Sequence, residues 1–113
     1  MEKRFEISLL LDFYGELLTD KQRDIMDLYY NDDLSLAEIA ENNNTSRQAI
    51  HDLLKRGEKF LFEYESKLHL LERQFFVDNV KKDIVENLNL LINGDIDIQK
   101  AVDRIIDDLK EIH

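Results

Sequence analysis

The sequence predicts an all-α protein, and three observations lead there. Proline is absent, glycine occurs only at Gly15, Gly57 and Gly94, and apolar residues recur every three or four positions over most of the 113 residues. The first two remove the residues that stop helices and form turns. The third is the spacing of helices that each bury one face.

The elements follow in order. Phe5, Leu9, Leu10, Phe13, Leu17 and Leu18 share a helical face, so residues 3 to 17 read as an amphipathic helix. Thr19 supplies a capping oxygen for a second helix, Asp20 favours its positive end, and Ile25, Met26, Tyr29 and Tyr30 line one side. "NDDL" ends it. Ser35 and Glu38 have capping-box spacing for a short third helix carrying Leu36, Ile39 and Ala40. "NNNT" is a turn, because asparagine tolerates left-handed geometry.

Thr45 or Ser46 caps the fourth helix, whose apolar face is Ile50, Leu53, Leu54, Gly57, Phe60 and Leu61. Phe60 is expected to close the core. No strong breaker interrupts "FLFEYESKLHLLERQF", so the helical pattern is expected to continue through it and on past Val80, Ile84, Leu88 and Leu91 to a stop at Gly94. Asp95 or Asp97 caps a last helix with a stripe from Ile98 to Ile112. The expected division is a domain of residues 1–70 and a helical extension of residues 71–113.

Composition narrows the function classes. Twenty-five Asp and Glu against 15 Lys and Arg give a net charge of −10, so attraction to nucleic acid or anionic lipid must come from a local patch. Without cysteine there is no disulfide framework or thiolate metal site. Glu6, Asp12 and Glu16 interrupt the first apolar run, and no stretch of about 18 uncharged apolar residues occurs, so a soluble cytoplasmic protein is expected.

Ala40, a short turn and Ile50 have the spacing of a helix-turn-helix, in which small contact residues let two helices cross and leave the outer face of the second free. That outer face starts at Ser46 and carries Arg47, Gln48, His51, Asp52 and Lys55, with Arg56 and Lys59 beside it. Arg and Gln can pair with base edges and Lys with phosphate, whereas Asp52 repels phosphate unless it accepts from a cytosine amino group. Residues 46 to 59 hold four basic and two acidic side chains. The same face suits DNA, the phosphates of structured RNA, or an acidic protein surface.

Enzymatic readings are weak. Glu65, His69 and Glu72 could share a helix face and hold a metal, but a chain rich in glutamate produces such a trio by chance. His51 has no serine or cysteine partner arranged for activation, and no glycine-rich phosphate loop occurs. Neither a metal nor a cofactor is expected.

"LTDKQRDIMDLYYNDDLSLAEIAENNNTSRQAIHDLLKR" resembles region 4 of bacterial sigma factors, and its continuation "RGEKFLFEYESKLHLLERQF" resembles the YlxM family of small helix-turn-helix proteins of Gram-positive bacteria. The likeness covers residues 4 to 76. It departs from the family pattern in the turn, where Asn44 and Thr45 stand in place of glycine and an aliphatic residue. The resemblance implies a sigma-region-4-like helix-turn-helix with a C-terminal extension used in homodimerisation. It also implies an accessory or regulatory role in the signal recognition particle pathway, near the GTPase Ffh, the particle RNA and the receptor FtsY.

The aromatic and aliphatic residues assigned to a dimer contact are Phe62, Phe75, Phe76, Ile84, Leu88 and Leu91. Two other functions fit the same residues. One is a dimeric DNA-binding transcriptional regulator with paired recognition helices. The other is an interaction module that keeps the sigma-like surface for a polymerase partner.

Overall fold

The computed structural model describes residues 2–112, in six α-helices. These are α1 (Lys3–Tyr14), α2 (Asp20–Tyr30), α3 (Leu36–Asn42), α4 (Arg47–Leu68), α5 (Leu70–Ile92) and α6 (Ile98–Glu111). A 3-10 turn over Gly15–Leu17 follows α1, so its α-helix ends three residues before the expected end. The all-α expectation holds.

Polar side chains set most of the boundaries. Thr19 Oγ1 accepts from the Gln22 N–H at 3.1 Å while Gln22 returns a bond to the Thr19 N–H, a capping box that starts α2. Ser35 and Glu38 do the same for α3. Ser46, and not Thr45, caps α4, with Oγ accepting from the Ala49 N–H at 3.0 Å. Asp97 caps α6, and Gly94 takes φ +76 after α5.

The expectation of an uninterrupted helix fails. The helical pattern through "FLFEYESKLHLLERQF" does not run on, because α4 ends at Leu68 and His69 turns left-handed at φ +56 before α5 begins. Tyr14 of α1 makes the break possible. Its hydroxyl donates to Glu65 Oε1 at 2.6 Å and accepts from the Leu70 N–H at 3.1 Å, and the same Glu65 oxygen accepts from the Leu71 N–H at 3.0 Å. The first two amides of α5 thus gain partners that a helix end ordinarily lacks.

The contacts divide the chain into two units, one ending at Leu71 and one starting at Glu72. In the first, α1, α2 and α4 pack mutually and α3 packs on α4. Ile7, Leu10, Tyr14, Ile25, Met26, Ile39, Ile50 and Leu61 are its fully buried large side chains. Gly57 lets α4 approach α2, since a Cβ there would lie 2.3 Å from Met26 Sδ. Phe60 does not close this core: it is 39% exposed, while Phe62 and Tyr64 pack against the buried cluster instead. Phe60 and Phe62 each fall about 100° from the fully buried Leu61, on opposite sides of it, so both border the buried stripe and only Phe62 meets packed neighbours.

In the second unit, α5 and α6 run antiparallel, with Arg104 donating to Asn87 Oδ1 at 3.5 Å and Asp83 facing Asp108. Asn87 is buried and also donates to the Asp83 carbonyl at 2.9 Å. The shared hydrogen bond with Asp83, then burial, then the charges of Asp83, Glu111 and Asp107 push the Asp108 carboxyl up to about 6. Because the folded value lies above the ordinary 3.8, the folded state binds the extra proton between these two values, and stability falls as pH rises through about 6. Amide protection in α6 is therefore expected to be higher at pH 5 than at pH 7.5, and Asp108→Asn should remove most of that difference. An unchanged pH profile in the variant would eliminate this carboxyl pair as its source.

Candidate nucleic-acid and partner interface

The predicted face starts where the chain leaves the turn after α3. Asn44 sits at φ +51 and the Thr45 N–H bonds to the Ala40 carbonyl at 3.0 Å, so the turn closes on α3. Ser46 then caps α4, whose first turn holds no acidic residue. The amide end of a helix carries partial positive charge, so an uncompensated first turn with Arg47 favours an anionic partner.

Residues 46 to 49 are all exposed, as are His51, Asp52, Lys55, Arg56 and Lys59. Arg47, Gln48 and His51 line one shallow recess together with Leu36 of α3. A second recess shares Leu36 and His51 and adds Tyr29, Tyr30, Leu54, Lys55 and Glu58. Arg56 and Lys59 line neither. At 100° per residue Arg56 lies roughly 180° round α4 from Arg47, whereas Lys59 lies about 120° round, within about 20° of both Gln48 and Asp52 but farther along the helix.

Internal bonds already use part of this charge. Asp52 accepts from Gln48 Nε2 at 2.9 Å and lies 3.5 Å from His51 Nδ1. Glu58 takes Lys55 at 3.7 Å and Lys3 at 3.4 Å, and Tyr30 donates to it as well. Burial, then the bond to Glu58, push the Tyr30 hydroxyl far above its ordinary value of 10, so it stays a donor. Arg4 stacks over Tyr29 and Tyr30, with its guanidinium carbon 4.7 and 5.6 Å from the ring centres, and holds Asp33 at 2.9 Å. Among the described residues no ion pair uses Arg47, Arg56 or Lys59.

Sequence reasoning found the outer face of α4 but missed Leu36, Tyr29, Tyr30 and Glu58 as its walls. The i,i+3 spacing of Lys55 and Glu58 was the one available signal for the last of these. Of the trio Glu65, His69 and Glu72, Glu65 serves Tyr14 and Leu71, and His69 is the left-handed residue between helices. Among the described residues no group of three or more His, Asp or Glu is arranged to hold a metal. Among the described residues no helix is long and apolar enough to cross a membrane. Of the residues assigned to a dimer contact, Phe62 packs on the first unit's core, whereas Phe75, Phe76 and Leu88 are exposed and Ile84 and Leu91 are half-buried.

Residues 1–105 match the UPF0122 family, described as helix-turn-helix proteins, YlxM / p13 like. A UPF0122 protein of Clostridium perfringens strain SM101 is 51% identical over 109 residues, covering 96% of this chain and 97% of the relative. One from Clostridium acetobutylicum strain ATCC 824 is 50% identical over 111 residues, 96% of each chain. One from Clostridium botulinum strain Alaska E43 is 59% identical over 88 residues, covering 78% of this chain and 81% of the relative.

Proposed function

The chain belongs to the UPF0122 family of YlxM/p13-like helix-turn-helix proteins, and on that premise we propose that it is a cytoplasmic accessory or regulatory protein of the signal recognition particle pathway. It acts by binding, without catalysis. The N-terminal half of α4 is the contact surface, and its partner is the particle RNA, Ffh or FtsY. Two copies act together, joined through the second unit.

One observation carries the choice of a small contact over an extended nucleic-acid reader: only Arg47, Arg56 and Lys59 on this face stand outside the ion pairs, and Asp52 sits among them. Each phosphate contact releases counterions, and a protein making about 6–10 such contacts draws most of its affinity from them. Three or four basic groups support few phosphate contacts, on DNA and RNA alike, and so favour an acidic protein surface or a short stretch of particle RNA over an extended nucleic-acid site. The helix-turn-helix itself favours the second reading, a DNA-binding regulator. In that case paired α4 helices would meet half-sites about 34–36 Å apart.

Affinity capture from the native cell, with RNA, DNA and protein all identified, separates the readings. Particle RNA, Ffh or FtsY is the expected recovery. The variant Arg47→Ala/Gln48→Ala/Lys55→Ala is expected to weaken binding at least about tenfold, or ~1.4 kcal/mol, when titrated against the recovered partner. Recovery of a defined DNA site with no particle component would replace this reading by the regulator.

A further inference from the structure

The two recesses beside α4 share Leu36 and His51, so they form one groove bounded by α2, α3 and α4. Its more enclosed part has a volume of about 190 Å³ and apolar walls from Leu36, Leu54 and the rings of Tyr29 and Tyr30. A cavity of about 150 Å³ holds a benzene ring, so this space takes one aromatic or large aliphatic side chain. Leu54 is buried, but Leu36, Tyr29 and Tyr30 are only half-buried, which leaves apolar surface open beside the polar outer face of α4.

Charge round this groove runs against the acidity of the whole chain. Arg47, His51 and Lys55 recur every four residues along α4, about 6 Å apart at 1.5 Å per residue. Arg47 is exposed and belongs to no ion pair among the described residues. Glu58 stands in the enclosed part but does not call for a cationic partner. Its side chain is 12% exposed, and Lys3, Lys55 and the Tyr30 hydroxyl already meet it. Lys3, Arg47 and Lys55 thus outnumber Glu58 and Asp52, and a partner bearing carboxylates gains from the excess.

The aromatic wall disfavours a nucleobase, which needs an open ring face on which to stack. Arg4 lies over both tyrosine rings, and the rings meet each other edge to face with their centres 4.9 Å apart. What they leave open is ring edge beside aliphatic surface. That suits a side chain inserted end-on.

We propose that this groove binds a short acidic segment of a partner protein, which inserts one aromatic or large aliphatic side chain between Tyr30, Leu36 and Leu54 and sets its carboxylates against Arg47 and Lys55. This assignment rests on the proposed contact surface of α4 and narrows its partner to protein. The apolar anchor supplies affinity that salt does not screen, and the cations fix the segment's register.

A display library of short random peptides, selected on the full chain, tests the groove. Enriched sequences should carry several Asp or Glu round one bulky apolar residue. Replacing that residue by Ala in an enriched peptide should weaken its binding at least about tenfold. Leu36→Glu in the protein should do the same, and an acidic residue at the first position of α3 favours that helix. His51→Glu, at an exposed position, gives a second measurement that leaves the core untouched. Lys81→Glu on α5 should leave the affinity unchanged despite its larger change in net charge. Enrichment of basic sequences, no enrichment, or enriched peptides that bind Leu36→Glu and His51→Glu as tightly as the parent would overturn the groove. Displacement of the peptide by oligouridine whose own binding is lost in Leu36→Glu would assign the groove to RNA instead. Two results separate the groove from the pathway role. Particle RNA, Ffh or FtsY that needs Arg47, Gln48 and Lys55 but ignores Leu36→Glu removes the groove and leaves the proposed function. Acidic peptides enriched as expected, with no particle component recovered from the cell, support the groove and remove the pathway role.

Discussion

Gly57→Ala is expected to destabilise the first unit by about 1–2 kcal/mol, although alanine is the better helix former by ~1 kcal/mol. The added Cβ would lie 2.3 Å from Met26 Sδ and 3.1 Å from its Cε. Overpacking of this kind costs about 1–3 kcal/mol when the surroundings cannot yield. Met26 has no exposed surface, so its sulfur has no solvent to withdraw into.

A double-mutant cycle isolates the contact. Met26→Ala alone should cost about 2–5 kcal/mol, the range for a buried side chain reduced to alanine. Adding Gly57→Ala to Met26→Ala should then be neutral or stabilising, because the clash is gone and the propensity gain remains. Urea unfolding at unchanged m-value measures all four corners. Additive effects would mean that Gly57 is required for something other than the approach of α4 to α2.

Gly57 also shows how far the sequence could be read. A glycine on the apolar face of a helix signals a close approach, and the periodicity put it on that face beside Ile50, Leu54 and Leu61. Met26 as the atom approached depends on how α2 and α4 cross, which no local pattern encodes. The capping oxygens of Thr19 and Ser35 were legible because each bond spans three residues, while the cap of α6 was narrowed only to Asp95 or Asp97. Phe60 was misassigned for the opposite reason. It borders the buried stripe in helical projection, and which bordering aromatic turns inward depends on neighbours supplied by α1 and α2.

The proposed contact face divides in the same way. Arg47, Gln48, His51 and Lys55 were legible as the outer side of the second helix of the helix-turn-helix, since capping and period fix them. The neutralising role of Glu58 was not, because two of its partners, Lys3 and Tyr30, come from α1 and α2. The net effect is a face less cationic than its composition suggests, and this moves the functional reading away from broad phosphate contact.

The end of α4 was the least legible feature, and it supports the other large expected effect. Tyr14 is 1% exposed, and burial followed by its bond to Glu65 raises its hydroxyl above the ordinary value of 10, so it remains protonated and donates. Tyr14→Phe keeps the ring but removes the donor to Glu65 and the acceptor for the Leu70 N–H, which lies 56 residues along the chain. Both bonds are part-buried and one is to a carboxylate; a hydrogen bond to a charged group contributes about 1.5–3 kcal/mol, and that is the expected loss. Tyr14→Ala adds a cavity and should reach about 3–5 kcal/mol, as for other large aromatic truncations. The phenylalanine variant is the sharper test, because hydrogen exchange at Leu70 should accelerate more than at core amides such as Ile50. Equal acceleration at both sites would mean that the loss is global, and that something other than this hydroxyl holds the break between α4 and α5.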